Sequence, residues 1–123
     1  MCESMAEHKS VSRMLENSYM FYKRKQNKIV EQKRQIYINL QEVAERLLTL
    51  KSQLDINDSL IMQNDSDTLC EERIDLLCVY NNIKCEQLHL TVYLQTINEI
   101  IEQNAKVLEE IEAEHDICEY NED

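Results

Sequence analysis

Residues 36–62 read IYINLQEVAERLLTLKSQLDINDSLIM, and residues 69–111 read LCEERIDLLCVYNNIKCEQLHLTVYLQTINEIIEQNAKVLEEI. In the first stretch Ile36, Leu40, Val43, Leu47, Leu50, Leu54 and Ile61 recur in alternating steps of four and three, and Asn57 fills one place in the column. In the second, Leu69, Arg73, Leu76, Tyr80, Ile83, Gln87, Leu90, Leu94, Ile97, Ile101, Asn104, Leu108 and Ile111 keep the same spacing. Steps of three and four place side chains along one stripe of a helix, and sustained over more than about three heptads they mark a coiled-coil seam. Upstream the pattern continues more weakly through Ser12, Leu15, Tyr19, Tyr22, Gln26, Ile29 and Lys33; downstream it reaches His115 and Cys118.

The rest of the composition agrees. The chain of 123 residues holds no Gly, no Pro and no Trp, and a single Phe. Gly and Pro supply the left-handed and fixed-φ positions of tight turns, strand bends and phosphate-binding loops. Their absence disfavours sheet-containing domains and nucleotide-binding enzymes and leaves long helices with few breaks. With 43% hydrophobic residues the chain is not compositionally disordered. Net charge is −11 and unevenly spread: residues 1–40 carry eight Lys and Arg against four Asp and Glu, the remainder five against twenty. A basic head on an acidic body argues against wrapping the whole chain on nucleic acid.

Between the two tracts lies Gln63-Asn64-Asp65-Ser66-Asp67-Thr68, whose short polar side chains compete for their own backbone and favour turns and helix starts. Thr68 and Glu71 have capping-box spacing, which starts a fresh helix near Thr68. The reading is an unordered N-terminus over 1–9, helix over 10–62, a polar turn over 63–68, helix over 69–118 and an acidic tail over 119–123. Folded at the turn, the chain makes an elongated antiparallel helical hairpin, an all-α coiled coil.

Antiparallel packing sets a positions against d positions, so opposed residues have numbers that sum to about 130. Leu54 then meets Leu76, Leu47 meets Ile83, Leu40 meets Leu90, and Ile36 and Ile97 continue the seam. The polar seam residues also oppose one another, Gln26 to Asn104 and Asn57 to Arg73, and are expected to set register. The basic stretch around Lys23, Arg24, Lys25 and Lys28 comes beside Glu99, Glu102, Glu109 and Glu110.

A two-helix hairpin needs only its seam, yet the neighbouring column of the second tract is also apolar: Val79, Tyr93, Ile100 and Val107, interrupted by Glu86. Val30, Tyr37 and Ala44 widen the first tract in the same way. Stripes of this width belong to bundles of three or four helices. Val79, Tyr93, Ile100 and Val107 are therefore the expected interface with partner helices, and the hairpin is expected to complete a larger bundle with partner chains.

The cysteines Cys2, Cys70, Cys78, Cys85 and Cys118 are odd in number and form no Cys-x-x-Cys, and no signal-peptide pattern opens the chain. That points to reduced thiols and a cytoplasmic or nuclear setting. His115 and Cys118 share a helix face at a spacing usable by zinc, but two ligands make no site, so no metal and no cofactor is expected. No loop could assemble a nucleophile, base and oxyanion donors, so no enzyme is expected.

Lys23-Arg24-Lys25-Gln26-Asn27-Lys28 and Lys33-Arg34, followed by Leu40, Leu47, Leu54 and Ile61, resemble a bZIP protein over those residues. The resemblance implies a leucine-zipper DNA binder. Eight positions past Asn27, however, stands Gln35, and bulky Ile29, Val30 and Ile36 occupy places where a basic region carries small residues. The apolar column also runs straight through the basic stretch. A contact of Lys23, Arg24, Lys25 and Lys28 with an acidic polymer or surface is the plainer reading.

These features point to a non-catalytic interaction subunit of a multiprotein coiled-coil assembly, with other coiled-coil proteins as partners in preference to copies of itself. By architecture alone, kinetochore, spindle and centrosome complexes come first, then organelle-biogenesis or vesicle-tethering complexes, then a homo-oligomeric adaptor.

Overall fold

The computed structural model describes the backbone of residues 2–122 and the side chains of residues 9–116. It is all-helical, two helices packing against each other as a hairpin: α1 spans Cys2–Gln63 and α2 spans Asp67–Glu122. The polar stretch breaks the chain, but over three residues, Asn64, Asp65 and Ser66, where the sequence suggested six. α1 closes with Asn64 N–H donating to Leu60 O at 2.9 Å. Ser66, not Thr68, caps α2: its Oγ accepts from Leu69 N–H at 3.4 Å, and its carbonyl accepts from Cys70 N–H at 3.1 Å. Starting two residues earlier puts Asp67 in the first turn, where a carboxylate complements the helix dipole. No described residue has positive φ, so the turn closes without the conformation for which glycine is favoured.

The helices also outrun their expected ends. Residues 2–9, read as unordered, belong to α1, and residues 119–122 belong to α2. Ala, Glu, Met and Lys in the first of these segments are good helix formers, and neither segment holds a breaker. The expected boundaries at residues 1 and 123 lie outside the described residues.

The hairpin divides into two units, the turn unit Arg34–Gln95 and a terminal unit made of the residues up to Lys33 together with those from Thr96 onward. In the turn unit, Ile36, Val43, Leu47 and Ile83 are buried, and Leu40, Leu50, Leu54, Leu76, Tyr80, Leu90 and Leu94 are half-buried. Val43, Leu47 and Ile83 form its core cluster, with Leu50, Tyr80 and Leu90 packed against it. The sheltered residues of α1 from Ile36 to Ile61 follow the alternating steps read from the sequence, with only Asn39 and Asp58 added. In the terminal unit the sheltered set on α2 is wider: Ile97, Asn98, Ile100, Ile101, Asn104, Ala105, Val107, Leu108 and Ile111. No described side chain is fully enclosed, as expected where each helix covers only one stripe of the other.

Candidate partner-binding site

Two helices leave most of each surface in water, so a site here is a face, and its content is which apolar side chains remain on it. The column expected to meet partners is divided. Val79 and Tyr93, in the turn unit, are 46% and 50% exposed, whereas Ile100 and Val107, in the terminal unit, are half-buried. Beside Val79 runs an open groove of about 580 Å³, with Leu50, Val79 and Ile83 as its apolar floor and Glu42, Glu45, Arg46 and Thr49 around it. Arg46 pairs with Glu86 across the helices at 3.6 Å, so the one acidic interruption of the column is tied to α1.

Ile74, Leu88 and Val92 of α2 are also exposed, at 60%, 62% and 54%. These were not singled out from the sequence, because they fall on positions that a two-helix hairpin turns to solvent. The readable signal was the scarcity of charge: from Ile74 to Asn98 the charged residues are Asp75, Lys84 and Glu86.

The polar seam residues do not pair side chain to side chain. Asn57 is buried and its Nδ2 donates to Leu69 O at 3.1 Å, while Arg73, placed opposite it by the sequence register, turns outward to Asp58. Gln26 Nε2 likewise donates to a backbone carbonyl, Ile101 O, at 2.9 Å. Gln26 Oε1, Asn57 Oδ1 and Asn104 Nδ2 are buried without a hydrogen-bond partner. Backbone carbonyls win because an amide side chain reaches the facing helix's main chain more readily than a second side chain one layer along. The buried remainder is the cost that limits such layers.

In the terminal unit, Leu15, Tyr19, Met20, Ile111, Glu112 and His115 help line a groove of about 350 Å³. His115 Nε2 lies 3.2 Å from both Ser12 Oγ and Glu16 Oε1. A hydrogen bond to Glu112 holds the Tyr19 phenol above its ordinary pKa of 10.0, with burial and the carboxylate's charge adding to the shift. Among the described residues no cluster of three or more His, Cys, Asp or Glu side chains is placed to hold a metal ion. The side chains of Cys2 and Cys118 lie outside the described set.

Lys23, Arg24, Lys25 and Lys28 are exposed on α1, and among the described residues none of them is ion-paired with Glu99, Glu102, Glu109 or Glu110. Exposed Phe21 stacks edge-on against Tyr22 close by, at 5.3 Å. No described helix is long and apolar enough to cross a membrane. No family model, no curated protein and no solved structure matches this chain.

Proposed function

We propose that the chain is a non-catalytic interaction subunit of a multiprotein coiled-coil assembly, its hairpin completing a larger helical bundle with partner chains. The observation that carries this reading is the apolar side of α2 in the turn unit, where Val79 and Tyr93 stand exposed and Val79 borders a groove floored by Leu50 and Ile83. At roughly 25 cal/mol per Å² of apolar surface, a partner helix laid there gains several kcal/mol that water forfeits. Side chains of an incoming helix would enter the groove as knobs, and Glu42 and Glu45 at its rim favour a partner with Lys or Arg flanking its seam. The four exposed cations Lys23, Arg24, Lys25 and Lys28 favour an additional contact with an acidic polymer. By analogy of build alone, our first reading is a cytoskeletal or chromosome-segregation complex, of kinetochore, spindle or centrosome type, in a reducing cytoplasmic or nuclear setting. An organelle-biogenesis or vesicle-tethering complex is the second reading.

The test is tagged purification from native cells under reducing conditions, with partners identified by mass spectrometry. A fixed, near-stoichiometric set of coiled-coil proteins is expected. Val79→Glu with Tyr93→Glu should lose that set while circular dichroism keeps its helical signal. Recovery of the wild-type chain with no stoichiometric partner would overturn the proposal.

A further inference from the structure

α2 carries a second heptad column on the side turned away from its seam with α1. Ile74, Cys78, Asn81, Cys85, Leu88 and Val92 succeed one another in steps of four and three, the spacing of a and d positions. The seam toward α1 uses Leu76, Tyr80, Ile83, Gln87, Leu90 and Leu94, which are all sheltered. All six residues of the outer column are exposed. The outer face of a helix that only solvates a hairpin is normally charged; this one is apolar or neutral along its length.

We propose that the outer column of α2 is a homodimer seam, which pairs antiparallel with the same column of a second copy about a two-fold axis beside Ile83. An isologous contact must be its own complement, and antiparallel coiled coils set each a position against a d position. With the axis at Ile83 every position of the column meets that rule. Ile74 faces Val92 of the second copy, Cys78 faces its Leu88, and Asn81 faces its Cys85. Each of these three layers occurs twice.

Charge supports the same occupant. Two chains of net charge −11 repel over most of their surfaces, but between Ile74 and Val92 only Asp75, Lys84 and Glu86 are charged. In the antiparallel register Asp75 on the flank lies opposite the second copy's His89, whose imidazole has an N–H to donate to a carboxylate in either protonation state. The two Lys84 side chains flank the axis, and each ammonium lies 5.8 Å from the ring of its own Tyr80, which draws it aside. A parallel pairing would instead set Lys84 beside the second copy's His89 and leave Asp75 without that partner. Val79 and Tyr93 lie about a third of a turn from the column, so hetero-partners and the second copy do not compete, and this seam stands whether or not the hetero-assembly does.

The experiment uses the purified full chain under reducing conditions, with mass from light scattering and helicity from circular dichroism. At micromolar concentration the mass should be twice the chain's 14.7 kDa. Ile74→Glu with Leu88→Glu should halve it and leave the helical signal unchanged, because both side chains point away from α1. Register is read by oxidation with diamide in a chain whose other four cysteines are replaced by Ser. Adding Asn81→Cys to that Cys85-only chain should give a covalent dimer, while the Cys85-only chain itself should give none. A monomeric wild type, including one that instead takes a foreign helix on this column, overturns the proposal. So does a dimer that survives the two glutamates, or a disulfide dimer formed through Cys85 alone.

Discussion

The two units of the hairpin use one helix differently. In the terminal unit α2 sinks a wide face, with Ile100, Ala105 and Val107 sheltered beside the seam residues Ile97, Asn104 and Leu108, and its exposed side is acidic. In the turn unit the same helix shelters a narrow seam and leaves Ile74, Val79, Leu88, Val92 and Tyr93 in water. Among the described residues, the large apolar side chains left exposed in the terminal unit, Met14, Met20, Phe21 and Val30 among them, belong to α1, among its cations. Apolar width on a helix is therefore not by itself a docking surface. Where the hairpin shelters it, it closes the fold; where it stays exposed, it lies open to solvent.

Truncations of buried leucines separate the two units by stability. Leu47→Ala removes a residue from the buried cluster with Val43 and Ile83 and should cost about 3 kcal/mol in denaturant unfolding. Leu108→Ala, also buried but outside that cluster, should cost about 2 kcal/mol. If the order were reversed, the apolar cluster of the turn unit would not be the main source of stability.

The buried amides should respond with opposite signs. Asn104→Leu removes an Nδ2 that finds no acceptor and should raise stability by about 1 kcal/mol, at some loss of register specificity. Asn57→Leu removes the donor to Leu69 O and should lower it by about the same amount. Thermal melts of the two variants, with disulfide mapping of register for the first, check both. Equal effects of one sign would mean that the two layers do the same work.

The smallest expected effect is alkaline. The Tyr19 phenol is protonated when it donates to Glu112, and its raised pKa means that its contribution is present below the ordinary value of 10.0 and is lost as pH rises through the folded-state value. The difference in melting temperature between wild type and Tyr19→Phe should be constant well below the ordinary value of 10.0 and narrow as pH rises through the folded-state value. A difference that does not change over that range would remove the Tyr19–Glu112 bond from the terminal unit's stability.

Much of this was legible in the residues themselves. Seven-residue columns with no Gly or Pro could only be long helices, and the run from Gln63 to Thr68 was the natural place to break them. The sequence points to Thr68 and the structure to Ser66 because both are good caps, and spacing alone does not choose between them. The column of Arg73 puts it in the seam, but a long guanidinium side chain can leave a half-open layer, and here it pairs with Asp58. The outer column on α2 obeys the same arithmetic as the seam, but periodicity does not mark it, because its positions are those a hairpin gives to solvent.

The two long helices and the break between them follow from the residues alone, since helix propensity and the absence of Gly and Pro act along one chain. That Ile100 and Val107 are half-buried while Val79 and Tyr93 are exposed, and that Asn57 and Gln26 bond to backbone carbonyls, comes from the packed hairpin. These depend on how closely the facing helix approaches at each layer and on which of its atoms come within hydrogen-bond reach. That is set by side chains distant in sequence, and no periodicity read along a single strand of residues contains it.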